Sequence, residues 1–233
     1  MSADRTLPFP SKRSEIAAFL KRAAQLPADQ NARGRLIFGM DATASREPTW
    51  AEASGIQQDM FRETQTLGGL AIQLLHYGGL GLEASGWHTD PARLLALMRS
   101  VRCRAGHTQI EAVLGRALAE HQARPVGCLV FVGDCIEENH ARLFGLAGQM
   151  GLRKLPAFLF HEGGDVAAAR GFAEIGRLSG GASFPFDAKA PGQLRELLTA
   201  AAMYAAGGSK ALAAYAKEKG GAALLLSRSL GGG

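Results

Sequence analysis

Asp41, Thr43 and Ser45 place an acid and two hydroxyls at alternate positions within the stretch Gly39 to Pro48. They follow Leu36-Ile37-Phe38, a run apolar enough for a buried strand, so the chain leaves the interior and at once presents three hard oxygen donors. Where a backbone leaves a strand and curls toward a helix, such alternation lets donors face a common point. Two other loops add to the set. The stretch "CRAGHTQ" delivers Thr108 where a helix begins, and the apolar run Val126 to Val132 ends in Gly133-Asp134. Two carboxylates and three hydroxyls suit Mg²⁺ or Mn²⁺ and suit soft metals poorly. Mg²⁺ takes about six oxygens and keeps some of its waters, so this set leaves a position that a partner's carboxylate can fill. The competing explanation is local: Asp41 and Asp134 cap helices while the hydroxyls satisfy loop backbone.

The elements that must position these residues are legible as alternating strands and helices. Arg35 to Met40 reads as a buried parallel strand. Trp50, Ala53, Met60, Phe61 and Leu67 mark a helix face that ends at Gly68-Gly69. Leu70 to Tyr77 and Leu80 to Trp87 flank Gly78-Gly79, the residue choice for a tight hairpin, which puts one antiparallel strand into the sheet. Asp90-Pro91 opens a helix, with the acid as cap and the proline in the first turn. Ile110, Val113, Leu114, Ala117 and Leu118 form the stripe of another. After the Val126 to Val132 strand come a helix through His140, Leu143, Phe144 and Ala147, a strand at Ala157 to Phe160, and a helix at Val166 to Leu178. A strand at Ala182 to Phe186 and a helix at Pro191 to Ala206 complete the pattern. The expectation is a three-layer, Rossmann-like α/β fold: a mainly parallel sheet with one antiparallel edge strand and helices on both faces. Ligands in such sheets sit at the carboxyl ends of the strands, which is where the five oxygen donors fall.

In this order and placement the residues resemble those of the von Willebrand factor A (VWA, integrin I-like) domains. The metal-ion-dependent adhesion site of that family has the form D-x-S-x-S, then a threonine in a second loop, then an aspartate in a third. Asp41-Ala42-Thr43-Ala44-Ser45 is similar to the first element with Thr for Ser, Thr108 to the second and Asp134 to the third. The likeness covers about Gly34 to Ala206, and His107 departs from it, since family members often carry glycine there. The resemblance implies a bacterial-type intracellular member that acts as a metal-dependent interaction module. Asp41, Thr43, Ser45, Thr108 and Asp134 would hold the Mg²⁺ or Mn²⁺, and His107, Arg46 and Glu47 would form the partner-binding rim. The implied partner is another protein that presents an acidic residue to the metal, in a cytoplasmic adaptor or assembly component. The residues alone leave two alternatives: a metal-independent scaffold that uses its terminal helices, or a metal-assisted phosphohydrolase with Asp41 as nucleophile or ligand. The latter lacks the second acid that haloacid-dehalogenase-type hydrolases place two residues later, where this chain has Thr43, and no well-placed base or lysine emerges.

The remaining features narrow the class. With 233 residues and 47% hydrophobic content the chain can bury a sizeable core. Its organisation reads as an N-terminal extension over 1–33 with an amphipathic helix at Ser11 to Leu26, the main domain over 34–206, and a basic helical tail over 207–233. The apolar runs are shorter than the roughly 18 residues of a membrane span. The first residues lack the apolar core of a signal peptide, and three cysteines fit a reducing compartment, so the expected location is cytoplasmic. A net charge of +5 is spread without aromatic interleaving, which does not favour a nucleic-acid partner. Cys103, His107 and Cys135 could approach the same rim, but no C-x-x-C pairing supports zinc. Gly79 to Ala84 formally fits G-x-G-x-x-A, yet the segment opens no convincing helix and reads as the hairpin.

Overall fold

The computed structural model describes residues 34–51, 69–79, 81–186 and 191–219. The expected helix at Ser11 to Leu26, the helix face from Ala53 to Leu67 and the last residues of the tail lie outside them. The described strands are β1 (Arg35–Asp41), β2 (Ala71–Tyr77), β3 (Leu82–His88), β4 (Cys128–Gly133), β5 (Ala157–Glu162) and β6 (Ala182–Phe186). The described helices are α1 (Pro91–Ser100), α2 (Ile110–Ala123), α3 (His140–Leu152), α4 (Val166–Leu178) and α5 (Pro191–Lys219), with a 3₁₀ turn at Ala44–Arg46.

The strands form one sheet in the order β3-β2-β1-β4-β5-β6. All neighbours are parallel except β2 and β3, which pair antiparallel at the edge. This is the expected mainly parallel sheet with one antiparallel edge strand. The β3 strand also disposes of the dinucleotide fingerprint, because Leu82 onward is extended rather than helical.

β1 and β4 lie in the middle, and every residue of both is buried. Their uninterrupted apolar runs follow from that position, because a central strand covered on both faces has no polar side. Alternation then sorts the side chains into two cores. Leu36, Phe38, Met40, Val130 and Val132 pack with Leu94 and Met98 of α1 and with Leu194, Leu197 and Leu198 of α5. Ile37, Leu129 and Phe131 pack on the other face with α2, α3 and α4 through Val113, Leu143 and Phe172. Truncating Phe131, which is fully buried and stacks near Tyr77 and Phe172, would cost about 3–5 kcal/mol.

Capping fixes where the helices start. Asp90 accepts from the Ala92 amide at 2.9 Å, Asn139 from Ala141 at 2.9 Å, and Asp165 from Ala167 at 2.7 Å. α5 is interrupted at Gly208, whose φ of 68° and ψ of −164° only glycine adopts readily. Helical backbone resumes beyond it, and Leu212 and Ala216 are buried in the first core. Among the described residues no helix is long and apolar enough to cross a membrane.

Candidate metal centre

Each candidate donor arrives from the carboxyl end of a strand or from a loop beside it. Asp41 is the last residue of β1 and is fully buried. Its Oδ1 accepts from the Thr43 amide at 2.7 Å, and this bond turns the chain into the 3₁₀ segment. The turn leaves the Thr43 and Ser45 hydroxyls 3.4 Å apart. Asp134 follows β4, the parallel neighbour of β1, so the two aspartates leave adjacent strands at the same rim.

The loop over 101–109 is locked against this rim by backbone. The Arg104 amide donates to the Ala42 carbonyl at 2.9 Å. A Cβ on Gly78 would stand 2.4 Å from the same carbonyl oxygen, and one on Gly106 would stand 2.6 Å from the Gly79 nitrogen. Glycine is required at both places because two backbones touch. Thr108 thereby comes to the rim, 6% exposed.

Thr108 is held by two acids that sequence analysis missed. Its amide donates to Glu137 Oε2 at 2.8 Å, and its hydroxyl donates to Glu138 Oε2 while accepting from the Glu137 amide at 3.0 Å. Glu138 also accepts from the Ile110 and Glu111 amides, so it caps α2, whose own cap position, Gln109, makes no side-chain bond. The missing local cap was the signal that an acid must come from elsewhere.

Arg46 is a correction to the expected rim. Its side chain is only 9% exposed, its Nη2 lies 3.3 Å from Asp134 Oδ2, and its Nη1 pairs with Glu162 Oε2 at the end of β5. An arginine is tolerated in such a place only when acids neutralise it, and here two do. It is buried against these acids and not exposed for a surface contact. His107 and Glu47 do stand exposed, with His107 Nδ1 3.3 Å from Glu137 Oε2.

Two buried oxygens at the rim have no hydrogen-bond partner: Asp41 Oδ2 and Asp134 Oδ1. Burial is the largest influence on Asp41 and raises its pKa; the Thr43 contacts oppose this, Asp134 adds to it, and Arg46 opposes it. Beneath them, the buried Tyr77 hydroxyl is also unpartnered, and burial beside Asp41 and Glu138 raises its pKa far above the ordinary value.

The donor set fits a hard divalent cation. Two orphaned carboxylate oxygens want a cation, the Thr43 and Ser45 hydroxyls sit next to each other, and Thr108 keeps one lone pair beyond its two bonds. The neighbouring cysteines do not make it a thiolate zinc site. Burial, followed by Asp134, pushes the Cys135 thiol up to about 12, and burial raises Cys103, so neither is a ready thiolate. Among the described residues no group of three or more His, Cys, Asp or Glu side chains is placed to hold a metal, so any cation here depends on the hydroxyls.

No protein-family model and no curated protein matches the chain. Solved structures do. The VWA domain of SpRpn10 is 13% identical, with a TM-score of 0.54 over 72% of this chain and 93% of that one. BatB from Bacteroides thetaiotaomicron is 13% identical, with a TM-score of 0.53 over 72% of this chain and 98% of that one. Proximal thread matrix protein 1 from the mussel byssus, with a zinc-occupied MIDAS motif, is 12% identical with a TM-score of 0.53, over 74% of this chain and 48% of that one. The chain has the von Willebrand factor A fold.

Proposed function

We propose that this protein is a divalent-cation-dependent protein-interaction module. Asp41 and Asp134 would hold Mg²⁺ or Mn²⁺ with the hydroxyls of Thr43, Ser45 and Thr108, and an acidic residue of another protein would complete the coordination. The observation that carries this reading is the pair of buried, unpartnered carboxylate oxygens, Asp41 Oδ2 and Asp134 Oδ1, at one rim of the sheet. Buried polar atoms are nearly always satisfied, so two orphans on adjacent strands mark a place built for something else. The zinc-occupied motif of the mussel protein supports it by showing that a VWA fold holds a metal at such a motif.

The chain's own residues divide the work. The Asp41–Thr43 bond orients the first carboxylate, and the Arg104–Ala42 backbone bond fixes the loop that brings Thr108. The Glu138 carboxylate and the Glu137 amide hold the Thr108 hydroxyl in place and leave it one lone pair for a cation. His107 and Glu47, both exposed, are the side chains a partner would meet around the opening. The cation would supply positive charge at an open position, which attracts a carboxylate. This is binding without turnover. Cytoplasmic residence as an adaptor or assembly component belongs to the same proposal and rests on the sparse cysteines.

Isothermal titration of the full chain with Mn²⁺ tests the reading. Saturable one-to-one binding that disappears in Asp41→Ala, with the fold preserved by circular dichroism, is the expected result; wild-type protein that takes up no Mn²⁺ would end it. One observation favours a second reading. Arg46 already places a positive charge on Asp134, as a scaffold working without metal would need.

A further inference from the structure

Arg46 stands where the site wants positive charge. Its Nη2 is 3.3 Å from Asp134 Oδ2, and its Nη1 is bound by Glu162, which also accepts the Thr49 hydroxyl. Asp134 follows β4 and Glu162 ends β5, so one buried guanidinium spans acids from two neighbouring strands. Its Nε has no partner. A planar guanidinium with five donors is best used when all are matched. This one is divided between a firm anchor on Glu162 and a longer reach to Asp134, and Asp134 keeps its other oxygen unused.

We infer, building on the metal-binding reading above, that Arg46 is a tethered counter-cation that neutralises Asp134 in the metal-free protein and withdraws onto Glu162 when a divalent cation binds the two aspartates. Like charges exclude each other in a poorly solvated site, so guanidinium and metal compete for the same carboxylate. Glu162 makes the exchange affordable: Arg46 gives up one contact while keeping its other acid, and no bare charge is buried. Two consequences follow. The metal-free site is stable enough to persist, and its affinity for metal is lower than the oxygen set alone would give.

The test is titration of the full chain with Mn²⁺ alone, comparing wild type with Arg46→Met and Glu162→Gln. Arg46→Met removes the competitor and should tighten Mn²⁺ binding about tenfold, the factor that accompanies loss of one charge-assisted contact. Glu162→Gln removes the refuge, leaves Arg46 to the aspartate, and should weaken binding by a similar factor. Opposite signs from two breaks of one ion pair separate exchange from a merely structural role, which would weaken binding in both. Thermal melting in EDTA shows whether each variant folds, and Arg46→Gln, which keeps donors without charge, replaces Arg46→Met if that does not. Binding in wild type that is unchanged or weaker in the Arg46 variants overturns the inference and leaves the metal reading intact. Binding that appears only when Arg46 is replaced means that the native chain takes up no metal, and overturns both. Absence of binding in every variant overturns both.

Discussion

At the amino ends of the parallel strands, Arg35, Gln73, Trp87 and Glu120 form a network in which almost every polar atom is used; at the carboxyl ends, Asp41, Tyr77, Asp134 and His161 each bury an atom with no partner. In the first region the Arg35 guanidinium lies 3.7 Å over the Trp87 ring and 3.8 Å from Glu120. Glu120 also accepts from Gln73 at 3.1 Å, from Trp87 at 3.1 Å and from Arg116 at 2.7 Å, and only Gln73 Oε1 is left over. In the second region charge is buried incompletely matched, with one arginine shared between two acids. A closed network adds stability and has no capacity to bind anything. An open one gives up stability and keeps its capacity, which is why unsatisfied groups collect where ligands act.

The sharpest way to break this contrast is to damage the closed end. Glu120→Ala removes the acid beside Arg35 and the acceptor of Gln73, Trp87 and Arg116, and is expected to cost about 3 kcal/mol in denaturant unfolding, while Mn²⁺ affinity stays within about twofold of wild type. If affinity fell with stability, the two ends would not be separable. The converse experiment acts on the open end. Mn²⁺ at about 100 times its Kd should raise stability by about 2.7 kcal/mol. Asp41→Asn should abolish that gain and change metal-free stability by no more than about 1 kcal/mol, because it keeps an acceptor for the Thr43 amide and removes a buried charge whose Oδ2 has no partner.

The ends also differ in their response to acid. Burial works to raise the pKa of Glu120, but bonds from Gln73 and Trp87 and the charge of Arg116 outweigh it, so the net shift is downward. A lowered folded-state pKa means that Glu120 contributes stability above its ordinary value of 4.5 and loses it as pH falls through the folded value. Chemical denaturation between neutral and acid pH should therefore show a loss that is smaller in Glu120→Gln than in wild type. The smallest effect belongs to the rim. His107→Ala breaks only an exposed contact with Glu137 and should alter melting by less than about 0.5 kcal/mol.

The sequence discloses these two ends unequally. Asp41 and Asp134 could be placed because each terminates an apolar run, and a run apolar on both faces has to be a central strand. The Gly78-Gly79 turn and the Asp90-Pro91 start were legible for equally local reasons, since positive φ and helix capping leave short signatures. Arg46 was not legible. It follows Thr43, Ala44 and Ser45 and reads as surface, and its acid Glu162 lies 116 positions away. Glu138 was hidden for the same reason, at 30 positions from the threonine it holds. Long-range charge pairing leaves no periodicity, so local reasoning recovered the donors and missed the groups that neutralise and orient them. β4 itself begins at Cys128 and not Val126, because the Val126 amide is drawn to the His121 ring instead of the ladder.

The most direct test of the central claim is an anomalous difference map at the manganese edge from crystals of the full chain soaked in Mn²⁺. The expected result is a peak among Asp41, Thr43, Ser45, Thr108 and Asp134, with the Arg46–Asp134 contact opened. An empty map in which Asp41 and Asp134 are ordered and Arg46 still pairs with Asp134 would contradict this, and would leave the protein a VWA-fold scaffold whose charge is supplied from within.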